Sequence, residues 1–522
     1  MRQKAQSQKI NYIIIIIFII GFGLRILLLG SFPPGLNQDE ASIGYDSWAI
    51  MNYGVDRNGF HNPLMLVSWG AGDFVFYAYF SMVPIFLFGL NVFAIRIANA
   101  LFACLSLYIF YQIVKKIVDK KTAVVALFIF TICPWHIMAS RYALIYNIFP
   151  SLVLLGTYFL VKAFRQPLYY YFSFFVFSLS LYSYGSAVIF VPIYLFIVSL
   201  YLFYHKKITL KILIVNVIIF MIIVTPIFMC LAINLLKLNS INTALFSIPR
   251  LTGIPRYSTA ISIFSPQFIK NIFNNFFEFI KIFFVTQNDK LIWNAIPRFG
   301  IIFLFSLPLL VFGLFLIVKE NKDFRRFKPS MIFLIWFFVS IALGCVLNPN
   351  INRINIIIPA FLFYMSIGVC RLKNFAPQIF KLVLFLYIIL FICFGYNYFF
   401  VYPKIIGPIF SESLGDAIQY AVSNTPLNET ITITDRNINM PYIYVLFYGK
   451  IDPRSYYNTV TYYNPGGEFQ WVKSFGRFFF GEQDVNNFRG KTYVLHNSEE
   501  GYFGNTDYAI QRYKYYSVAI KK

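Results

Sequence analysis

Two runs in this chain are comfortable only in lipid. "INYIIIIIFIIGFGLRILLLG" (10–30) and "KLVLFLYIILFICFGYNYFF" (381–400) each supply the ~20 consecutive apolar residues that cross a bilayer. The rest of the composition agrees. The chain is 59% hydrophobic, 20% aromatic and 12% charged over 522 residues, where a soluble domain carries about 25% charge. The first run is too long and too unbroken for a cleaved signal peptide. The expected fold class is therefore an α-helical polytopic membrane protein, with eleven spans centred near residues 20, 104, 131, 156, 176, 196, 222, 309, 339, 361 and 389.

Charge sets the expected topology. The formal net charge is +23, and nearly all of it sits in residues 1–402, with 32 Lys and Arg against 10 Asp and Glu; residues 403–522 hold 12 against 11. A nucleic-acid binder would show a basic stripe on a soluble surface, so nucleic acid is not an expected partner. Basic clusters instead follow alternate spans: Arg2, Lys4 and Lys9; Lys115, Lys116, Lys120 and Lys121; Lys162 and Arg165; Lys206, Lys207 and Lys211; "KENKDFRRFK" (319–328); Arg371 and Lys373. That side is the cytoplasm by the positive-inside rule. The N-terminus is then cytoplasmic. An odd number of spans puts residues 403–522 outside the plasma membrane.

Two long segments, 31–92 and 235–298, are also expected outside. "FVFYAYFSMVPIFLFG" (74–89) reads as an interfacial helix, because counting it as a span would invert every later cluster. "FIKNIFNNFFEFIKIFF" (268–284) groups Lys270, Asn274, Asn275, Glu278 and Lys281 on one face and reads as a helix on the membrane surface. The tail changes character. "SESLGDAIQYAVSN" (411–424) has helical spacing, while "ETITITD" (429–435), "KTYVLHN" (491–497) and "KYYSVAIK" (514–521) read as strands. This divides the chain into a membrane domain, 1–402, and an extracytoplasmic α/β domain, 403–522.

All six cysteines (Cys104, Cys133, Cys230, Cys345, Cys370 and Cys393) fall in apolar segments, with no CxxC pair. That argues against a metal cluster and a disulfide framework. His61 and His136 lack ligand spacing. The informative residues are charges. Five of the ten acids in 1–402 lie in the first external loop, Asp39, Glu40, Asp46, Asp56 and Asp73, and none lies within a span. Proton-driven transporters bury carboxylates mid-membrane, so their absence weighs against a pump. Outside also lie arginines that the topology rule disfavours: Arg57, Arg96, Arg141, Arg250, Arg256, Arg298 and Arg353, with Arg25 near the outer end of the first span.

Carboxylates on one loop and arginines on several others fit one chemistry. The carboxylate takes a proton from an acceptor hydroxyl, and guanidinium forks hold a departing phosphate. Plainer readings stand beside it. Asp46 and Asp56 read as solvated acids or caps, Asp39–Glu40 as a helix cap, and Arg57, Arg96, Arg141, Arg256 and Arg353 as contacts to lipid headgroups.

The residues also carry a family likeness. "LNQDEASIGYDSWAIMNYGVDRNG" (36–59), "PLMLVSWGAGDFVFYAYFSMVPIFLFGL" (63–90), "CPWHIMASRYALIYN" (133–147), "SLYSYGSAVIFVPIYL" (180–195), "IPRLTGIPRYS" (248–258), "NDKLIWNAIP" (288–297) and "NPNINRINIIIPA" (348–360) occur in this order, followed by "DRNINMPYIYVLFYGKIDP" (435–453) and "NPGGEFQWVKSFGRFFFG" (464–481). The chain resembles the GT-C glycosyltransferases, in the bacterial branch near the protein O-mannosyltransferases and the lipid A aminoarabinose transferases. The resemblance implies transfer of a hexosyl or pentosyl group from a polyprenyl phosphate, with inversion, to an extracytoplasmic glycan, lipid or protein. It implies an essential acid at Asp39, with Glu40 beside it. Arg256, Arg353, Arg141 and Arg298 are the expected phosphate-binding residues. The family's metal use varies, so a divalent cation is left open. The sequence departs from the pattern after Ser140-Arg141, where relatives carry a glutamate and this chain reads Tyr142 to Asn147 without an acid. Either Asp73 substitutes for it in space, or the acceptor differs, or catalysis is impaired. Two other classes remain: a lipid-linked glycan polymerase or ligase, and a non-enzymatic glycolipid flippase or exporter.

Overall fold

The computed structural model describes residues 2–251, 253, 266–467, 469–481, 491–503 and 507–522. In chain order, α1 (Arg2–Ile26) precedes α2 (Gln38–Tyr53), a hairpin of β1 (Met65–Leu66) and β2 (Asp73–Phe74), and α3 (Phe76–Phe88). Then come α4 (Val92–Ile117), α5 (Lys120–Thr131), α6 (Pro134–Ala139), α7 (Phe149–Ala163), α8 (Tyr169–Ser180), α9 (Ala187–Tyr204) and α10 (Leu210–Leu235). A hairpin of β3 (Ile241–Asn242) and β4 (Ser247–Ile248) is followed, among the described residues, by α11 (Phe268–Ile280), α12 (Leu307–Glu320), α13 (Met331–Val346), α14 (Ile351–Ile354), α15 (Ile358–Phe375), α16 (Pro377–Tyr396) and α17 (Tyr402–Ile409).

A helix lies at each of the eleven apolar positions. Among the described residues, six helical stretches are long and apolar enough to cross a membrane: Val92–Ile117, Ile145–Ala163, Ala187–Tyr204, Leu210–Leu235, Ile351–Phe375 and Pro377–Ile409. Ile10–Ile26, Phe76–Phe88 and Met331–Val346 are apolar but shorter. At 1.5 Å per residue, the 13 residues of α3 extend about 20 Å, short of a ~30 Å hydrocarbon core. Helix α11 exposes Ile269, Phe273 and Phe277 at four-residue spacing, while Asn275 donates to the Cys345 carbonyl at 3.0 Å.

The chain folds into two compact units. The first is drawn from Met1–Leu27, Asn99–Phe228 and Tyr257–Phe399. Within lipid, helices gain little by hiding apolar surface from one another, so close backbone approach carries the packing. Helices α12 and α15 meet through glycines. A Cβ on Gly313 would lie 1.9 Å from the Tyr364 carbonyl oxygen, and one on Gly368 2.1 Å from that of Leu309. Phe333 and Phe363 stack at 4.1 Å between centroids, and Trp336 donates to the Ile356 carbonyl at 2.6 Å.

The second unit is drawn from Leu28–Ala98, Met229–Arg256 and Phe400–Lys522, so the tail shares it with the segment that carries α2, β1, β2 and α3. Beyond α18 (Leu414–Asn424), β5 (Ile431–Ile433), α19 (Pro441–Gly449) and α20 (Pro453–Tyr457) come β6 (Thr461–Tyr462), β7 (Val472–Phe475), β8 (Phe478–Phe480), β9 (Thr492–His496), β10 (Tyr508–Arg512) and β11 (Tyr516–Lys521). The last seven strands form one sheet in the order β10-β11-β9-β5-β8-β7-β6, with β5 parallel to both neighbours and the other pairs antiparallel. The central β5 is buried throughout, as a parallel strand covered on both faces should be. The expected helix and three expected strands of the tail are all present.

Candidate functional site

The best-defined constellation of ionisable groups lies in the second unit, on α2. Its N-terminus is a capping box. The Asn37 side chain accepts the Asp39 N–H at 2.8 Å, and the Glu40 carboxylate accepts the Asn37 N–H at 3.1 Å. Glu40 is fully buried and meets Arg96 side-on, Nε to Oε1 and Nη2 to Oε2 both at 2.9 Å. Arg96 also donates to the carbonyls of Pro33 (2.7 Å) and Gly35 (2.9 Å). One guanidinium therefore fixes both the carboxylate and the loop that leads into it. The same loop is tied to the tail: the Leu36 N–H reaches the Phe410 carbonyl at 2.7 Å, and the Tyr444 hydroxyl reaches the Leu36 carbonyl at 3.1 Å.

Asp39, Ser42 and Asp46 share another face, being three and four residues apart on α2. Asp39 is half-buried, and its Oδ1 accepts the indole N–H of Trp69 at 2.9 Å. Deeper along this face Arg57 Nη1 donates to Ser42 Oγ at 2.7 Å and lies 3.6 Å from Asp46 Oδ2, while the Arg57 N–H bonds Asp46 Oδ1 at 3.2 Å. Asp46, Asp56 and Arg57 are all buried. Burial pushes the Asp46 carboxyl up against the opposing pull of the Arg57 guanidinium. Asp56 is pushed up to about 7 by burial and by the Asp46 charge, although its Oδ1 accepts the N–H groups of Asn58 and Phe60, both at 2.9 Å. Burial holds Tyr442 up as well.

Several plain sequence readings are corrected here. Asp46 and Asp56 are not solvated. Arg57 and Arg96 do not face lipid headgroups; each is buried against an acid. Arg25 is buried in the first unit, where its Nη2 meets His136 Nδ1 at 2.7 Å and its other donors meet the carbonyls of Gly21, Phe130 and Thr131. His136 is thus occupied by an arginine. Among the described residues, no group of three or more His, Cys, Asp or Glu is placed to hold a metal ion.

The proposed phosphate-binding arginines occupy varied surroundings. Arg141 is buried and donates to the carbonyls of Leu24 (2.8 Å) and Leu27 (2.7 Å), at and just past the last turn of α1. Arg353 is half-buried on α14 and donates to the Asn348 carbonyl at 2.8 Å. Arg298 is exposed, with φ +81°. Arg256 lies outside the described residues. Asp73 is half-buried on β2, opposite Leu66. The sequence reading had missed two residues. Asp289 accepts the Ile351 N–H and the Asn294 amide, both at 2.9 Å, tying "NDKLIWN" to the Arg353 segment. Trp69 is the other, and its signal was the glycine-flanked turn "WGAGD", since glycines mark backbone that must turn through positive φ.

Residues 75–229 match the family model described as dolichyl-phosphate-mannose-protein mannosyltransferase. Among solved structures, ArnT from Cupriavidus metallidurans, in the apo state and bound to undecaprenyl phosphate, is similar with a TM-score of 0.53 at 12% identity, over 99% of this chain and 98% of that one. The Archaeoglobus fulgidus oligosaccharyltransferase, in a complex with Zn and sulfate, is similar with a TM-score of 0.50 at 15% identity, over 84% of this chain and 61% of that one. Among curated proteins nothing matches the chain. The chain has the GT-C fold of these structures, and its long apolar helices make it a multi-pass membrane protein.

Proposed function

We propose that this protein moves a sugar from a polyprenyl phosphate to an extracytoplasmic acceptor hydroxyl with inversion, and that Asp39 is the base. One observation carries the choice of residue. Of the five acids in the first external loop, Glu40, Asp46 and Asp56 are fully buried, while Asp39 and Asp73 keep access to solvent. Asp39 also stands at the first turn of a helix, where the dipole favours its ionised form. Glu40 then holds the loop rather than reacting. The likeness to the protein mannosyltransferase model and to an undecaprenyl-phosphate-bound ArnT supports a lipid-linked donor.

In this reading the acceptor O–H gives its proton to Asp39 as its oxygen attacks the anomeric carbon. The bond from that carbon to the phosphate oxygen breaks on the opposite face. The polyprenyl phosphate leaves with one more negative charge, which guanidinium donors stabilise. Arg353 is the first candidate, since its bond to Asn348 uses one of five N–H donors; Arg298, Arg141 and Arg256 complete the set. Asp73 remains the candidate for the acid absent after Arg141. The site faces the outside of the plasma membrane, with the N-terminus cytoplasmic and 403–522 outside. The acceptor is a cell-envelope glycan, lipid or protein.

The test is reconstitution in liposomes with a polyprenyl-phosphate sugar and mass spectrometry of the products. Addition of a single sugar supports the reading. Addition of whole repeat units marks a polymerase or ligase, and donor movement without a new glycosidic bond marks a flippase. Asp39→Asn loses ~10²–10⁴-fold in kcat with normal membrane insertion; wild-type activity in that variant refutes the assignment.

A further inference from the structure

Trp69 is held more tightly than a loop tryptophan needs to be. It sits at the tip of the β1–β2 turn with φ 51° and ψ 25°, a left-handed conformation that bulky residues rarely adopt. Its neighbours fix it there. The Trp69 carbonyl accepts the Phe469 N–H at 3.0 Å, the Gly70 carbonyl accepts the Gly253 N–H at 2.8 Å, and the Ser68 carbonyl accepts the Ala71 N–H at 3.0 Å. Strain kept in place by surrounding structure gathers at working sites. The side chain is 3% exposed. Its face carries the Arg57 guanidinium 5.1 Å from the ring centre, and Tyr442 meets it edge-on at 6.3 Å. Its one donor, the indole N–H, goes to Asp39 Oδ1.

We propose that Trp69 is a positioning residue for Asp39: its indole N–H sets the rotation of the carboxylate, and Arg57, anchored on Ser42 and Asp46 of the same helix face, holds the indole. This rests on Asp39 being the base. A fixed N–H on one carboxylate oxygen aims the other oxygen and favours the ionised form. A cation over the ring sharpens the effect by drawing electron density from the indole. Among the described residues, the titratable groups near the carboxylate include Glu40, bound by Arg96, and Tyr444, whose hydroxyl is given to Leu36; Arg57 and Asp46 lie behind the indole.

The test replaces the N–H alone. Trp69 is exchanged for 3-benzothienylalanine, which keeps the bicyclic shape and puts sulfur where the N–H was, with Trp69→Phe as a second variant and Asp39→Asn as the reference. Transfer from a polyprenyl-phosphate sugar is followed from pH 5 to 9. The benzothienyl variant is expected to keep the wild-type melting temperature and donor KM. Its kcat should fall about 10-fold, and the acidic limb of its pH profile should rise by about one unit. A purely packing role would leave that limb in place. Wild-type kcat and an unmoved limb in the benzothienyl variant, with Asp39→Asn inactive, would overturn the positioning role while leaving the base assignment standing. Full activity in Asp39→Asn would overturn both.

Discussion

Glu40 is adjacent to Asp39 and is also a carboxylate, and the two are separated by a simple experiment. Replacing Glu40 with alanine takes from buried Arg96 the carboxylate it grips with two N–H donors, and leaves the Asn37 N–H without that acceptor. Removing one partner of a buried ion pair costs about 3–5 kcal/mol, because the remaining charge stays out of water. Loss of the capping contact adds about 1 kcal/mol. At ~2–4 °C per kcal/mol for a unit of ~150–250 residues, the melting midpoint should fall by roughly 8–24 °C. Arg96→Met should cost a similar amount, since it takes the guanidinium from buried Glu40 and its donors from the carbonyls of Pro33 and Gly35. Glu40→Gln keeps two oxygen–nitrogen contacts and should lose less than alanine does. The double variant Glu40→Gln/Arg96→Met should lose less than the sum of its parts, the mark of a direct pair. Size-exclusion thermostability in detergent reads the midpoints, and transfer per folded molecule is measured beside them. Glu40→Gln melting with the wild type while losing transfer 100-fold would refute the structural role and make Glu40 a reacting group.

Two further outcomes follow from packing and charge. Gly313→Ala should destabilise by about 1–3 kcal/mol, because the new methyl lies 1.9 Å from a backbone carbonyl that a rotamer change cannot move; alanine's better helix propensity, at most ~1 kcal/mol, does not offset that. Gly395→Ala, with nothing within 4 Å, is the matched control and should melt at or slightly above wild type. Asp56 gives a pH signature. Its folded value of about 7 lies above the ordinary carboxylate range, so between pH ~4 and ~7 the unfolded chain has already given up a proton that the folded chain keeps. Stability is therefore greatest at the acid end of this window and falls as pH rises through it, by roughly 4 kcal/mol in total. Asp56→Asn preserves the acceptor for Asn58 and Phe60 and should flatten the slope; melting curves of the two proteins that stay parallel from pH 4 to 8 would contradict it.

What could be read in advance divides along the range of the interactions. Apolar runs locate helices because the period and the solvent are local properties, and the tail's "ETITITD" locates β5 for the same reason. The capping alternative for Asp39–Glu40 was also local, and α2 has both a cap and a candidate base in adjacent residues. The partners were not legible. Arg96 is 56 residues from Glu40, and Trp69 is 30 from Asp39; nothing in a single sequence marks which distant arginine closes on which acid. The burial of Asp46 and Asp56 was missed for a related reason. A loop acid next to polar residues reads as solvated unless the tertiary cover is known. Strands β6 to β8 lacked the alternation that revealed their neighbours, and their aromatic run fitted a core or a sugar-stacking surface equally well.

The arginines show how the same physics narrows the search for the phosphate. Eight were expected outside, against the usual placement of positive charge. Four of them, Arg25, Arg57, Arg96 and Arg141, are buried with structural partners. One of these closes the end of a helix: Arg141 takes the carbonyls of Leu24 and Leu27 at the C-terminal end of α1. The last carbonyls of a helix have no partner within it, and a guanidinium there meets both their hydrogen-bonding need and the negative end of the dipole. The exposed or half-exposed arginines among the described members of the set are Arg250, Arg298 and Arg353. Of these, Arg353 alone lies on a helix, α14, capped by Asn350 and tied by Asp289 through the Ile351 N–H. A cation on a braced element loses less freedom when it grips an anion than one on an open loop. Arg353 is for that reason the strongest described candidate to meet the departing phosphate.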